Sequence, residues 1–459
     1  MIDFEERRDE LLEKIEEMTR RKQYKALRDI LVELEPADIA DLFDDLPEEM
    51  LPLLFRLLPK EPAAELFVEL EPDVQEMLIR GFSNTELKEV LDELYLDDTV
   101  DIIEDMPANV VSRILRNTDA STRSQINQLL NYPKDSAGSI MTTEFVFLHP
   151  DATVEESFAR IRSVGIDKET IYTCYVTQNR VLLGVVTVRR MLLSSYETRI
   201  RDIMETNVLS VNTHEDKEDV AQLLNKYDLS AIPVVDGDNR LVGIVTFDDA
   251  MDVMEDEATE DMEKMAAIIP TERPYFKTSV FETWKSRIPW LTVLMVSATF
   301  TAIILTAFEN QLAACAALTG FIPMLMGIGG NSGSQASVTV IRATSLGDVE
   351  FKDFFRVIWK EIRVGALCGV SLAAVNFIKI WLVDKLLLGH DITLMVDLVV
   401  CATSAAVVVF AKTVGAMLPL LMEKLGFDPA VMASPFISTV MDAMSLLIYF
   451  LFAHLLLGI

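Results

Sequence analysis

A carboxylate stands inside the last apolar run of this chain: Asp442, in SPFISTVMDAMSLLIYF. It lies about 14 residues beyond Asp428, which in a helix is ~21 Å along the axis and deep in a bilayer. An ionisable group at that depth is costly and by default marks an ion or proton path; the plainer reading makes it the structural partner of a nearby Lys or Ser. Another apolar run contains PMLMGIGGNSGSQ, residues 323 to 335, with four glycines, an asparagine, a glutamine and two serines. In hydrocarbon such a segment is tolerated where it is buried in protein or lines water. Gly327, Gly329, Gly330 and Gly333 permit close helix packing or unwound backbone, and Asn331, Ser334 and Gln335 offer oxygens or position waters. Pro323 lacks a backbone donor and would free the carbonyl of Thr319. A purely structural glycine seam is the competing reading.

The elements that must position these groups are membrane spans. From Ile288 onward five apolar runs reach the ~20 residues a crossing needs, approximately 288–308, 312–341, 357–383, 394–421 and 430–457. Between the second and third lie Arg342, Lys352, Arg356, Lys360 and Arg363, a basic cluster that belongs on the cytoplasmic side. The large N-terminal part is then cytoplasmic and the C-terminus outside. Five helices enclose a polar path poorly, so a symmetric homodimer with the path on its twofold axis is expected.

Charge divides the chain in the same way. Of 72 acidic and 41 basic residues, 61 and 30 precede Trp284, so the whole net charge of -31 lies in the N-terminal part. That excess repels nucleic acid and favours a bound cation, although a solvated acidic surface accounts for most single carboxylates. The four cysteines and four histidines are scattered, without disulfide or zinc spacing. Residues 1 to 30 are charged and helix-like rather than a secretory leader.

Residues 1–130 read as short helices punctuated by proline, as in LEPADIADLFDDLPEEM, a pattern of stacked helical hairpins in a small superhelix. An α/β repeat follows over 137–253, split into 137–200 and 201–253: SIMTTEFVFLHPDATVEESFARI ending in LLGVVTVRRML matches DIMETNVLSVNTHEDKEDVAQLL ending in LVGIVTFDDAM. Each copy reads as strand, helix, two-stranded hairpin and helix. The repeat resembles a tandem pair of CBS domains, a module that often holds adenine nucleotides between its copies, and Asp248 or Asp249 stands where that family often holds a ribose. An acidic helix start explains the same residues. Residues 254–283 then read as an acidic connecting helix leading into the membrane domain at 284–459.

Together the helical N-domain, the paired CBS domains, the acidic EATED helix, the five runs, the P-x-L-x-x-x-x-G-N-x-G-x-Q signature from Pro323 and the DPA before the last span resemble the MgtE family of magnesium transport proteins. The resemblance implies a homodimeric, Mg2+-selective channel of the cytoplasmic membrane whose cytosolic domains sense Mg2+ and close the pore. It implies metal contacts at Asp442 in the pore, Asp97 and Asp101 on the N-domain, Asp216, Glu218, Asp228, Asp249 and Asp252 on the CBS pair, Glu257, Glu260 and Asp261 on the connecting helix, and Asp428 at the pore mouth. Its pore motif maps to Pro323, Gly327, Gly330, Asn331, Gly333 and Gln335; Ser434, before Pro435, departs from some relatives, which carry Asn there. Two copies of Asp442 would form an oxygen-rich ring, which suits a hydrated Mg2+ ion because that ion sheds water reluctantly. ATP between the CBS copies, regulatory and not hydrolysed, is expected by the same analogy. Three alternatives compete: transport of Mn2+ or Co2+, a nucleotide-sensing membrane receptor that moves no ion, and an intramembrane aspartyl protease. The third needs two facing Asp residues, and the third span offers Glu361 instead. A non-enzymatic transporter is the reading that uses both Asp442 and the glycine motif.

Overall fold

Proline sets the beat of the N-terminal region. Pro36, Pro52 and Pro72 occupy the first turn of their helices, where a missing N–H costs nothing. Among the described residues ten helices follow one another: α1 Arg8–Arg20, α2 Tyr24–Leu31, α3 Pro36–Asp45, α4 Leu51–Phe55, α5 Lys60–Glu69, α6 Pro72–Gly81, α7 Asn84–Leu91, α8 Leu96–Asp105, α9 Ala108–Asn117 and α10 Ala120–Leu129. Triplets such as Ile39, Leu42 and Phe43 put their buried side chains on one face. Ser83 and Glu86 close α7 with a reciprocal cap.

The computed structural model describes residues 7–271, 275, 278–387, 392–432 and 434–458. It divides into two units, Met1–Met254 and Glu255–Ile459. Within the first, the expected repeat is present. β1 Phe145–Leu148, α11 Val154–Val164, β2 Thr170–Gln178, β3 Val181–Thr187 and α12 Val188–Leu192 form one copy. After α13 Ile200–Ile203 come β4 Val211–Asn212, α14 Lys217–Tyr227, β5 Ala231–Val235, β6 Leu241–Thr246 and α15 Phe247–Met265. Both sheets run first strand parallel to second, second antiparallel to third.

Each copy also lends backbone to the other, through the bridges Thr142 to Ile244 and Val185 to Glu205. This exchange explains the glycine shared by LLGVV and LVGIV. A Cβ at Gly184 would lie 2.6 Å from the Glu205 carbonyl, and one at Gly243 2.8 Å from that of Thr142. The core of the first unit runs from Ile15 through the helical repeats to Val211, Ile232 and Val245 of the second copy.

Among the described residues of the second unit four helices are long and apolar enough to cross a membrane: α16 Val280–Ala307, the stretch Phe351–Leu387 that contains α19 Phe354–Lys379, α20 Leu394–Lys424, and Pro435–Leu457 within α21 Ser434–Leu457. The glycine motif lies on a further helix, α18 Ile322–Ser345, 24 residues long. Its Asn, Ser, Gln and Gly content keeps it out of that apolar class. The run expected at 312–341 begins instead with the short helix α17 Glu309–Ala314 and a tight turn of helix at Ala316–Phe321.

Two expectations change here. The glycine motif is continuous α-helix rather than unwound backbone, with Pro323 at the helix start, where it interrupts nothing. The acidic connecting helix ends at Met265 instead of running toward the first span. Ala267 takes a left-handed φ of 56° and Pro270 follows, so the chain turns out of the helix there. Residues 272–274, 276 and 277 of the expected 254–283 segment lie outside the described residues.

Candidate functional site

Within the membrane unit, small residues bring α18 against α20 and α21. A Cβ at Gly415 would collide with the Gly333 carbonyl, and Gly330 sits against Ser438. Gly327 faces open space and packs nothing. The approach of α21 places Ser438 Oγ 3.4 Å from Ser334 Oγ, and half-buried Asp442 stands one turn further along the same helix. Asn331 and Gln335 are exposed on α18. They open with Ser334 and Thr339 onto a cavity of 870 Å3 whose other wall carries Glu361 and Lys412. Asp442 does not line that cavity. Glu361 and Lys412 are both buried, and sequence reasoning assigned neither a role here. The legible signal was a lysine in the apolar stretch VVVFAKTVGAM.

Where α15 ends, a second polar group forms within the same unit. Lys264 Nζ is paired with Glu260 on its own helix and lies 2.7 Å from Asp428 Oδ2. Burial opposes the lysine charge, yet these two carboxylates raise its pKa. Ser345 Oγ donates to Asp261 at 3.3 Å, and Asp428 Oδ1 accepts the Ala430 N–H at 2.7 Å. Burial and the neighbouring Asp428 raise the Asp261 carboxyl above its ordinary range. Glu257 stands half-buried one turn back along α15. The expected residues Glu257, Glu260, Asp261 and Asp428 are thus brought to one end of the unit, around a lysine.

The first unit gathers a larger acidic cluster. Asp97 on α8 is 6% exposed. Its pKa is well above the usual range because burial disfavours the charge and Asp249, Asp98 and Glu169 add repulsion. Among the described residues its Oδ1 has no hydrogen-bond donor, nor has Glu169 Oε2. Burial and the like charge of Asp249 push Asp98 up to about 6 and Asp101 up to about 7. Asp101 as a whole is exposed, so water screens it more than Asp97. Burial, with Asp248 and Asp249, pushes Glu169 to about 8. Asp249 rises to about 6 through burial, partly offset by the hydroxyl of Thr246, with Asp248 and Asp252 adding repulsion. Glu144, whose carboxylate accepts the Leu96 N–H at 3.3 Å, joins the same field. Expected residues Asp97, Asp101, Asp249 and Asp252 therefore converge, with Asp248; Asp98, Glu144 and Glu169 are additional.

Asp216, Glu218 and Asp228 do not join them as one site. Asp216 caps α14 by accepting the Glu218 N–H at 2.9 Å, while Asp228 closes its far end with φ 51°. The 11-residue helix between them separates these ends by ~16 Å. Among the described residues no group of three or more His, Cys, Asp or Glu side chains is close enough to hold a bare metal ion. Diffuse acidic fields of this kind suit a cation that keeps its waters.

Comparison with known proteins adds the following. Residues 322–452 match the MgtE divalent cation transporter domain, 34–135 the MgtE intracellular N domain, and 137–196 and 200–256 CBS domains. The magnesium transporter MgtE of Thermus thermophilus is 37% identical over 98% of this chain and 99% of its own length. That of Bacillus subtilis is 33% identical over 96% of each. A crystal structure of the cytosolic domain of the Mg2+ channel MgtE in complex with ATP is similar at 37% identity and a TM-score of 0.50, covering 52% of this chain and 98% of that one. The soluble part of a magnesium transporter is similar at 31% identity and the same TM-score, covering 55% and 99%.

Proposed function

From the premise that the chain belongs to the MgtE family of magnesium transporters, we propose that it is a Mg2+-selective channel of the cell membrane, closed by cytosolic Mg2+. The observation that carries this reading is the cluster of Asp97, Asp98, Asp101, Glu169 and Asp249, whose strongest charged neighbours are further carboxylates. A divalent ion relieves that repulsion, and Asp97 Oδ1 and Glu169 Oε2 are buried acceptors without donors. Binding to this compact arrangement stabilises it by mass action. Closure then follows from differential affinity for the closed state, and the transported ion limits its own entry. Asp216, Glu218 and Asp228 contribute to the sensor as separate patches at the ends of α14. Glu257, Glu260, Asp261 and Asp428 hold the end of the connecting helix at the pore mouth.

In the pore, Asp442 supplies the charge and α18 the polar wall. Exposed Asn331, Gln335 and Thr339 at membrane depth need protein or water beside them, which supports five crossings per chain and a second copy closing the path. Two Asp442 carboxylates across that axis attract a hydrated divalent ion. Among the described residues the path offers oxygen ligands and no imidazole or thiolate, a hard set that suits Mg2+ and Mn2+ better than Co2+, and the magnesium transporters this chain resembles favour Mg2+ of the two. Arg342, Lys352, Arg356, Lys360 and Arg363, around the connection of α18 to α19, support a cytoplasmic N-terminal unit and a C-terminus outside. The relative in complex with ATP supports nucleotide binding by the cytosolic part; by the CBS resemblance the nucleotide is regulatory, is not hydrolysed and lies near Asp248 and Asp249. A receptor that moves no ion leaves Asp442 unused.

Flux into proteoliposomes containing the purified full-length protein tests the reading. Mg2+ uptake exceeding Mn2+ and Co2+, and falling when millimolar Mg2+ is placed on the cytosolic face, is expected. Equal flux of all three ions, or uptake indifferent to cytosolic Mg2+, contradicts selectivity or gating respectively.

A further inference from the structure

The first unit contains a cleft of 670 Å3 that none of the acidic residues above lines. It lies between α10 of the helical region, β1 and α11 of the first CBS copy, and the hairpin tips of both copies. We propose that this cleft binds a nucleoside phosphate, at a place separate from Asp248 and Asp249. Its volume falls in the range of ~300–1,000 Å3 typical of small-molecule sites.

The sign of its charge is the first argument. In a region where acidic residues outnumber basic ones 61 to 30, this cleft is lined by Arg160, Arg180 and His149 against one carboxylate, Glu156. That carboxylate is already engaged, accepting the Thr153 N–H at 2.8 Å in the cap of α11. Asp151 lies 3.8 Å from the His149 ring, but it is paired with Arg199 and Arg201. Its backbone N–H donates to His149 Nδ1 at 3.2 Å, which leaves the Nε2 proton of a neutral ring as a donor.

The second argument is preorganisation. Arg160 Nε donates to the Phe147 carbonyl at 2.8 Å, and its guanidinium lies 4.3 Å from the centre of the Phe147 ring. One arginine is thus held flat, with its remaining N–H groups free of the entropy cost of being ordered by a ligand. Arg180 follows Asn179 in the β2–β3 turn, and both have left-handed backbones, with φ of 69° and 54°. Glycine is the favoured residue at the second position of such a turn. An arginine kept there against backbone preference points to use of its side chain. Its carbonyl accepts the Leu241 N–H at 2.8 Å, which fixes the turn against the second copy.

The ligand class follows from the two walls. Guanidinium groups and an imidazole recognise phosphate oxygens, while Phe145, Leu241 and Val242 give an apolar wall for a base, Phe147 serving to back the Arg160 guanidinium. Inorganic phosphate uses one wall and a nucleoside the other; a nucleoside phosphate uses both.

Calorimetry on the full-length protein in detergent, with ATP, inorganic pyrophosphate and adenosine as probes, tests this. An Asp249→Ala background removes the other candidate nucleotide position. There, ATP is expected to bind at one per chain, at least tenfold tighter than pyrophosphate or adenosine. Arg160→Gln and Arg180→Gly should each weaken ATP at least tenfold. Arg180→Gly relieves the left-handed strain, so its melting temperature should stay equal or rise, which separates lost binding from lost folding. Loss of all ATP binding in the folded Asp249→Ala protein would overturn the proposal. So would unchanged affinity in the two arginine variants, or pyrophosphate binding as tightly as ATP.

Discussion

The two acidic clusters are built on opposite principles. Around α8 and the start of α15 the strongest charged neighbours of each carboxyl are other carboxylates, and two buried oxygens lack donors. At the other end of α15, Glu260 and Asp428 share the ammonium of Lys264. The first cluster must be held by protons or by a cation from solution. The second carries its own cation on the helix. A sensor needs the first arrangement, because its state then depends on what the solution supplies. The second gives the connecting helix a resting attachment whether or not a metal is present.

Asp442 sits outside both clusters, and the largest effect is expected there. Asp442→Asn removes charge but little volume, so Mg2+ flux should fall to background while the folded protein remains. Wild-type flux from a correctly inserted mutant would remove Asp442 from the mechanism. Within the lysine-free cluster, Asp97→Asn with Asp249→Asn should raise the melting temperature in the absence of divalent cation. It should also raise the Mg2+ needed for closure at least tenfold, read from flux against cytosolic Mg2+.

Lys264→Gln probes the other side of the comparison. The end of α15 should lose its protection from protease in metal-free buffer and regain it with Mg2+, with a shift of about threefold, since a half-exposed ion pair is worth ~0–1 kcal/mol. Unchanged protection without metal would deprive Lys264 of its tethering role. The smallest effect is that of pH. Carboxyls held at about 6, 7 and 8 in Asp98, Asp101 and Glu169 bind protons more tightly folded than unfolded, where they titrate near 4. Their contribution is fully present below the unfolded value and is lost as pH rises through 6 to 8. Without divalent cation the melting temperature should therefore fall by a few degrees between pH 5 and 8, and Mg2+ should flatten that slope.

Much of this is legible in the sequence. The repeat LLGVV and LVGIV announced two copies of one unit, and the structure adds why the glycine is needed: each copy receives backbone from the other. The apolar runs announced membrane helices, and the polar motif marked the exception among them. Asp98, Glu144 and Glu169 were not legible, because their significance comes from meeting Asp248 and Asp249 across long stretches of sequence. The end of the connecting helix was misplaced because acidic residues with good helix propensity carry the pattern to Met265, and the turn at Ala267 leaves no strong mark besides Pro270. Lys264 read as one base among many acids; its pairing with Asp428, 164 positions later, needed the fold.

The central claim, that the lysine-free cluster is a specific divalent sensor rather than a solvated acidic surface, is tested most directly by limited proteolysis of the full-length protein. Mg2+ and Na+ are compared at matched ionic strength, following cleavage around Asp97 and Asp101. Screening by Na+ weakens repulsion without bridging carboxylates. Protection by millimolar Mg2+ that Na+ fails to reproduce, and that moves to higher Mg2+ when Asp97, Asp101 and Asp249 are replaced by Ala, is the predicted result. Equal protection by the two salts would contradict the account and return these carboxylates to the surface.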